Sequence, residues 1–211
     1  MSTEMRDWVA WHDEYRDDDS DLSRRLRVVQ AEIRRTLAAK PSGPFRAVSL
    51  CAGQGHDLIG ALADYSESDR VSARLVELAP DNVVAMRSRA DGAGLDLEIV
   101  QGDAGDAAVY QGAVPADLVL AVGIFGNVSD ADIFSTIGTL PQFCAPQATV
   151  IWSRGQQLAD ITDQIREAFT EQGFEETAFH RPPDAGFQIG AARYQGPPRA
   201  WQPGHMFTFV R

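Results

Sequence analysis

Residues 117–122 read Asp-Leu-Val-Leu-Ala-Val, and after the aspartate nothing polar interrupts the run. A strand with one wet face alternates polar and apolar residues. An unbroken apolar run fits a strand covered on both faces, which is the habit of parallel sheets. The chain around it has the matching rhythm. Extended segments are predicted at 45–50, 73–77, 96–100, 117–122 and 148–152, with helical ones at 56–65, 80–90, 104–110, 129–140 and 158–172. Strands alternating with helices imply a parallel sheet flanked by helices on both sides. Two last strands are expected at 174–179 and 205–210, separated by the proline- and glycine-rich stretch 181–204, read as a long excursion beside a pocket.

The chain before the first strand reads as helical. Met5, Trp8, Val9, His12 and Tyr15 share one helical stripe, and Leu22, Leu26, Val29, Ile33 and Leu37 share another. Asp17-Asp18-Asp19-Ser20-Asp21 breaks the first helix and supplies caps and first-turn acids for the second. Lys40-Pro41-Ser42-Gly43-Pro44 ends it. The expected organisation is an N-terminal helical cap over 1–44 and a Rossmann-like domain over 45–211, forming one globular unit.

Composition narrows the partners. A net charge of −11 argues against a nucleic-acid footprint, which needs a basic face, and the arginines at 24, 25, 27, 34 and 35 fit a solvated helix face. No apolar run approaches the roughly 20 residues of a membrane span. The N-terminal MSTEMRDWVAWHDEY is acidic and amphipathic, unlike a cleavable signal. Cys51 and Cys144 read as buried free thiols, pointing to the cytoplasm. His12, His56, His180 and His205 lack ligand-pair spacing, so no metal is expected. A homodimer is compatible with the sequence.

In a doubly wound sheet, ligands bind beyond the C-terminal strand ends. Those ends carry glycines and acids here: Cys51-Ala52-Gly53-Gln54-Gly55 after the first strand, Glu77-Leu78 after the second, Asp103-Ala104 after the third, Val122-Gly123 after the fourth. Gly53 and Gly55 let backbone approach a ligand. Glu77 can accept from both ribose hydroxyls or cap the helix at Pro80. Asp103 can accept from an adenine amine or cap the helix that follows it.

Taken together, Ser49-Leu50-Cys51-Ala52-Gly53-Gln54-Gly55, Glu77, Asp103 and the 117–123 strand end resemble the class I S-adenosylmethionine-dependent methyltransferases, over nearly the whole chain. The resemblance implies a doubly wound, mainly parallel seven-stranded Rossmann-like sheet with an antiparallel last strand and an N-terminal helical lid. It implies S-adenosylmethionine as cofactor, S-adenosylhomocysteine as product, and Cys51, Ala52, Gly53, Gln54, Gly55, Glu77, Leu78, Asp103, Ala104, Val122 and Gly123 as cofactor-binding residues. The chain departs from the family at Ser49, often an acid, and at Cys51, often a glycine.

Methyl transfer needs alignment more than a strong catalyst. A base matters only where the acceptor must lose a proton. His12 and Tyr15, on the helix expected to form the lid, and Asn127, after the fourth strand, are the candidate catalytic residues, with His56 and His180 as further possible proton carriers. Gly123-Ile124-Phe125-Gly126 replaces the Asn/Asp-Pro-Pro-Tyr type of segment used on exocyclic amines, which points to a small-molecule acceptor. Two rival readings stand beside this one. An NAD-dependent oxidoreductase would want a third glycine where Leu58 stands. A non-catalytic cofactor-binding protein would share the fold without turnover.

Overall fold

The structure is a computed structural model that describes residues 15, 17–156 and 159–210. The expected helix at 5–15 lies outside these, apart from Tyr15. Helix α1, Asp21–Ala39, opens with Ser20, whose hydroxyl accepts from the Ser23 N–H at 3.1 Å. Strand β1 is Phe45–Ser49, α2 His56–Leu62, β2 Val71–Glu77 and α3 Pro80–Gly92, with proline in its first turn as anticipated. Strand β3 is Glu98–Gln101, β4 Ala116–Ala121, α4 Asp130–Thr139, β5 Cys144–Gly155 and α5 Thr162–Glu171. Strands β6, Phe174–His180, and β7, Phe187–Tyr194, complete a seven-stranded sheet of order β3-β2-β1-β4-β5-β7-β6. Only β7 runs antiparallel to its neighbours.

The β4 run behaves as its composition requires. Leu118 and Leu120 pack with Val29, Ile33 and Leu37 of α1 and Leu58 of α2, whereas Val119 and Ala121 pack with Ile133 of α4 and Phe169 of α5. Each of these Val, Leu, Ile and Phe side chains contributes about 1.5–3 kcal/mol when fully buried. The face α1 buries belongs to the main core, so the N-terminal helix is part of the sheet's packing.

The closing strands correct one expectation. The last strand is 187–194, inside the stretch read as an excursion, and among the described residues 205–210 makes only two isolated bridges, Asp106 with His205 and Val128 with Phe209. Gly190 made this segment look unlike a strand. It sits opposite Trp152 on β5, and a Cβ there would collide with the indole. The glycine is what lets Trp152 lie flat across β7 and stack on Phe169, with ring centroids 5.9 Å apart. The real excursion, 181–186, is a short turn. It grips the start of α1 through the Gly186 N–H to Asp21 at 2.7 Å and Arg24 to Asp184 at 2.9 Å.

Candidate functional site

Above the C-terminal ends of β1 to β5 lies a cavity of about 880 Å³. Its floor is the turn after β1, where Cys51, Gly53 and Gly55 all take left-handed conformations, with φ of 51°, 58° and 73°. Glycine enters that region without cost and other residues do not, so Cys51 carries strain its neighbours avoid. The turn is held by Ala52 N–H to the Val76 carbonyl at 2.9 Å and by Gly55 N–H to the Ala52 carbonyl at 2.9 Å.

Glu77, 9% exposed, ends β2 beside this turn. One carboxylate oxygen accepts from Gly53 N–H at 2.8 Å and the other from Ala79 N–H at 2.8 Å. Bracing the two turns does not exhaust the carboxylate, because each oxygen keeps a second acceptor position. Asp103, after β3, accepts from Gly105 N–H at 2.8 Å through one oxygen, while the other lies 3.2 Å from His205 Nε2. On the same cavity wall Asn82 is fully buried, its Oδ1 taking a 3.3 Å bond from Gln54 and its Nδ2 lacking a partner.

All but one of the eleven residues assigned to the cofactor line this cavity: Cys51, Ala52, Gly53, Gln54, Glu77, Leu78, Asp103, Ala104, Val122 and Gly123. Gly55 stands behind it as the pivot into α2, where a Cβ would come within 2.6 Å of Ile59 Cδ1 and 2.9 Å of Met86 Cγ. The Cys51 thiol is pushed well up by burial, then by the Glu77 and Asp103 carboxylates, so it stays a neutral wall group.

The candidate proton carriers separate. His12 lies outside the described residues. Tyr15 lines the cavity and stacks on His56, centroids 4.2 Å apart. Burial raises the Tyr15 phenol, so it stays protonated, and its oxygen accepts from Arg25, which can only donate. Arg89 lies 3.1 Å from His56 Nε2 and has no acceptor capacity, which makes Nε2 the acceptor and places the ring proton on Nδ1. Burial also raises the Asp57 carboxyl. Asn127 lines the cavity, its Nδ2 donating to the Gly123 carbonyl at 2.7 Å, which closes the turn after β4. His180 stands away from the cavity, 2.7 Å from the buried Glu32.

Several wall residues escaped the sequence reading. Arg154, 5% exposed at the end of β5, donates to the carbonyls of Phe125 and Ala159. Its position was legible by the same strand-end rule that selected Glu77. Arg25 comes from α1, and Phe207, Thr208 and Phe209 from the C-terminal segment. Nothing in their local sequence marks these four. Among the described residues no cluster of His, Cys, Asp and Glu could hold a metal ion, and no helix is long and apolar enough to cross a membrane.

Strand order, the lone antiparallel strand and a cavity floored by the β1 turn define the class I S-adenosylmethionine-dependent methyltransferase fold. Solved structures share this fold. It superposes on an O-methyltransferase family protein from Burkholderia thailandensis with a TM-score of 0.68 at 14% identity, over 92% of this chain and 61% of that one. On magnesium protoporphyrin IX methyltransferase from Synechocystis, solved with bound S-adenosylmethionine, it gives 0.67 at 11% identity, over 92% of this chain and 100% of that one. The [4+2]-cyclase SpnF also matches, with a TM-score of 0.58 at 12% identity, over 78% of this chain and 80% of that one. No family model matches the chain, and no curated protein matches it in sequence.

Proposed function

We propose that the protein is a cytoplasmic S-adenosylmethionine-dependent methyltransferase that acts on a small, partly apolar acceptor. One observation carries this reading: Glu77, a buried acid at the end of β2, faces the same cavity as the left-handed β1 turn and is already braced by two backbone N–H groups. The cavity volume falls within the roughly 300–1,000 Å³ of small-molecule sites. The unpartnered Asn82 Nδ2 on the same cavity wall adds a polar group suited to a ligand rich in hydroxyls.

S-adenosylmethionine supplies a methyl group on a sulfonium, open to in-line displacement. The chain's own part is orientation. Glu77 takes the ribose hydroxyls, Asp103 takes the adenine amine, and the Val122–Gly123 turn, tied to Ser153 Oγ by the Gly123 N–H at 2.9 Å, borders the reacting end. Tyr15 and His56 form an aromatic wall that excludes water and aligns the acceptor.

S-adenosylmethionine and S-adenosylhomocysteine should both raise the melting temperature by linkage of binding to folding, and NAD should leave it unchanged. Glu77→Ala should remove the shift, with Asp103→Asn as a milder companion measured by calorimetry. A shift from NAD alone would overturn the reading. A second reading, a cofactor-holding protein that does not methylate, draws support from the likeness to SpnF, described as a cyclase. Tight binding of both adenosyl ligands, with no acceptor-dependent release of S-adenosylhomocysteine across a panel of small phenols, amines and thiols, would favour it.

A further inference from the structure

We propose that the C-terminal segment Gly204–Val210 is an adenine-recognition strap in which His205 positions the Asp103 carboxylate and Phe209, backed by the buried Phe207, walls the base. The inference rests on the cavity being an S-adenosylmethionine site.

The strap is fastened at two places that flank the cavity. At the β3 side, Ala107 N–H donates to the Gly204 carbonyl at 2.8 Å and Met206 N–H to the Gly105 carbonyl at 2.7 Å. At the β4 side, Val210 N–H donates to the Asn127 carbonyl at 2.8 Å and Thr208 N–H to Asp132 Oδ2 at 3.3 Å. Phe207, Thr208 and Phe209 span the gap and line the cavity together with Asp103 and Ala104. The aromatic rings stand 6.0 Å apart, inclined by 34°; Phe207 is buried in the core, and the half-buried Phe209 offers the apolar face on which a base can stack. The crossing is built into the sequence at Gly105, where any Cβ would collide with the Phe207 carbonyl.

Asp103 has one oxygen fixed by Gly105 N–H, and the strap brings His205 Nε2 to the other. Carboxylate rotation is thereby stopped from both sides, while each oxygen retains capacity for one more donor. An exocyclic amine satisfies that capacity. A carbonyl at the same position of the base sets acceptor against acceptor. The strap therefore makes the site read the amine, and His205 acts through Asp103 as a positioning residue.

The test compares Kd values for S-adenosylhomocysteine and S-inosylhomocysteine by calorimetry. The wild-type chain should prefer the adenosyl ligand by about tenfold or more, the worth of a hydrogen bond to a charged group. His205 is half exposed, so His205→Ala should fold normally and bring the preference close to unity, and His205→Gln, which keeps a donor, should restore most of it. Phe209→Ala should weaken both ligands alike, by about fivefold or more, leaving their ratio intact. If His205→Ala and Phe209→Ala match the wild type in both affinities and ratio, the strap is only a structural cover and the inference falls. If the wild type binds neither ligand, the cofactor reading itself falls.

Discussion

The two walls of the cavity are built on opposite principles. The floor after β1 and β2 consists of turns welded to the sheet: Leu50 N–H bonds the Leu120 carbonyl, Ala52 N–H the Val76 carbonyl, and Glu77 braces the glycine turn from the next strand. The strap opposite has no ladder. A few separated hydrogen bonds and one buried ring, Phe207, hold it. Opening the floor means disrupting the parallel sheet, whereas opening the strap means breaking a few separated hydrogen bonds. Local opening free energies follow that difference, with elements poor in backbone pairing at the low end. On the proposed reading, the floor sets where the ligand sits and the strap sets how easily the site opens.

Gly55→Ala tests the floor and carries the largest expected effect. The new Cβ would combine a left-handed φ of 73° with contacts of 2.6 Å to Ile59 Cδ1 and 2.9 Å to Met86 Cγ. Strain and overpacking together should cost about 2–4 kcal/mol in urea unfolding. Gly105→Ala is the matching test of the strap. There the collision is with backbone, so the strap must lift, at a local cost of about 1–3 kcal/mol. Amide exchange should quicken at 206–210 while the global unfolding midpoint barely moves. Equal drops in midpoint for the two variants would show that the walls are not separable.

The same contrast explains what the sequence disclosed. A wall made of strand ends leaves a pattern: an apolar run, then glycines or an acid, repeated at Gly53, Glu77, Asp103 and Gly123. Arg154 belongs to that pattern and was readable, because Trp152-Ser153-Arg154-Gly155 also closes an apolar run. The strap was misread because Met206-Phe207-Thr208-Phe209-Val210 has the composition of a strand, and the partner it finds is a pair of loops. Strand β7 was hidden for the converse reason. Gly190 weakens the local pattern, and only Trp152, 38 residues earlier, explains why a glycine belongs there. Long-range packing that decides a residue's identity leaves no trace in its own neighbourhood. His180 is another case, since its partner Glu32 lies on α1.

The thiols give a pH test that spans floor and core. Cys144, 3% exposed at the start of β5, has its thiol pushed far up by burial, and burial with the Glu77 and Asp103 carboxylates does the same for Cys51. In the unfolded chain both thiols ionise near pH 8.5. Above that pH the folded state holds more protons than the unfolded state, so stability must fall as pH rises. Between pH 7.5 and 9.5 the loss should be about 1.5 kcal/mol per thiol, below the range where the tyrosines contribute much. Cys144→Ala should remove about half of that pH dependence in urea titrations. An unchanged slope would mean that the native thiols ionise as freely as the unfolded ones.

The smallest effect is expected at Cys51→Gly, where two terms oppose each other. The left-handed φ of 51° costs a non-glycine residue about 1–2 kcal/mol, which glycine would relieve. Glycine in turn loses more chain entropy on folding, about 0.5–1 kcal/mol, and forfeits the packing of the thiol against the core. The net change should lie within about 1 kcal/mol, and affinity for S-adenosylhomocysteine should be retained, because the bond from Gly53 N–H to Glu77 involves no atom of residue 51. Cys51→Val is the counterpart, since a β-branched side chain in the left-handed region is a true outlier and should cost about 2 kcal/mol or more. If glycine destabilises the chain as much as valine does, thiol packing fixes this turn. If valine alone does, backbone conformation fixes it, and the cysteine is a tolerated stand-in at a position built for glycine.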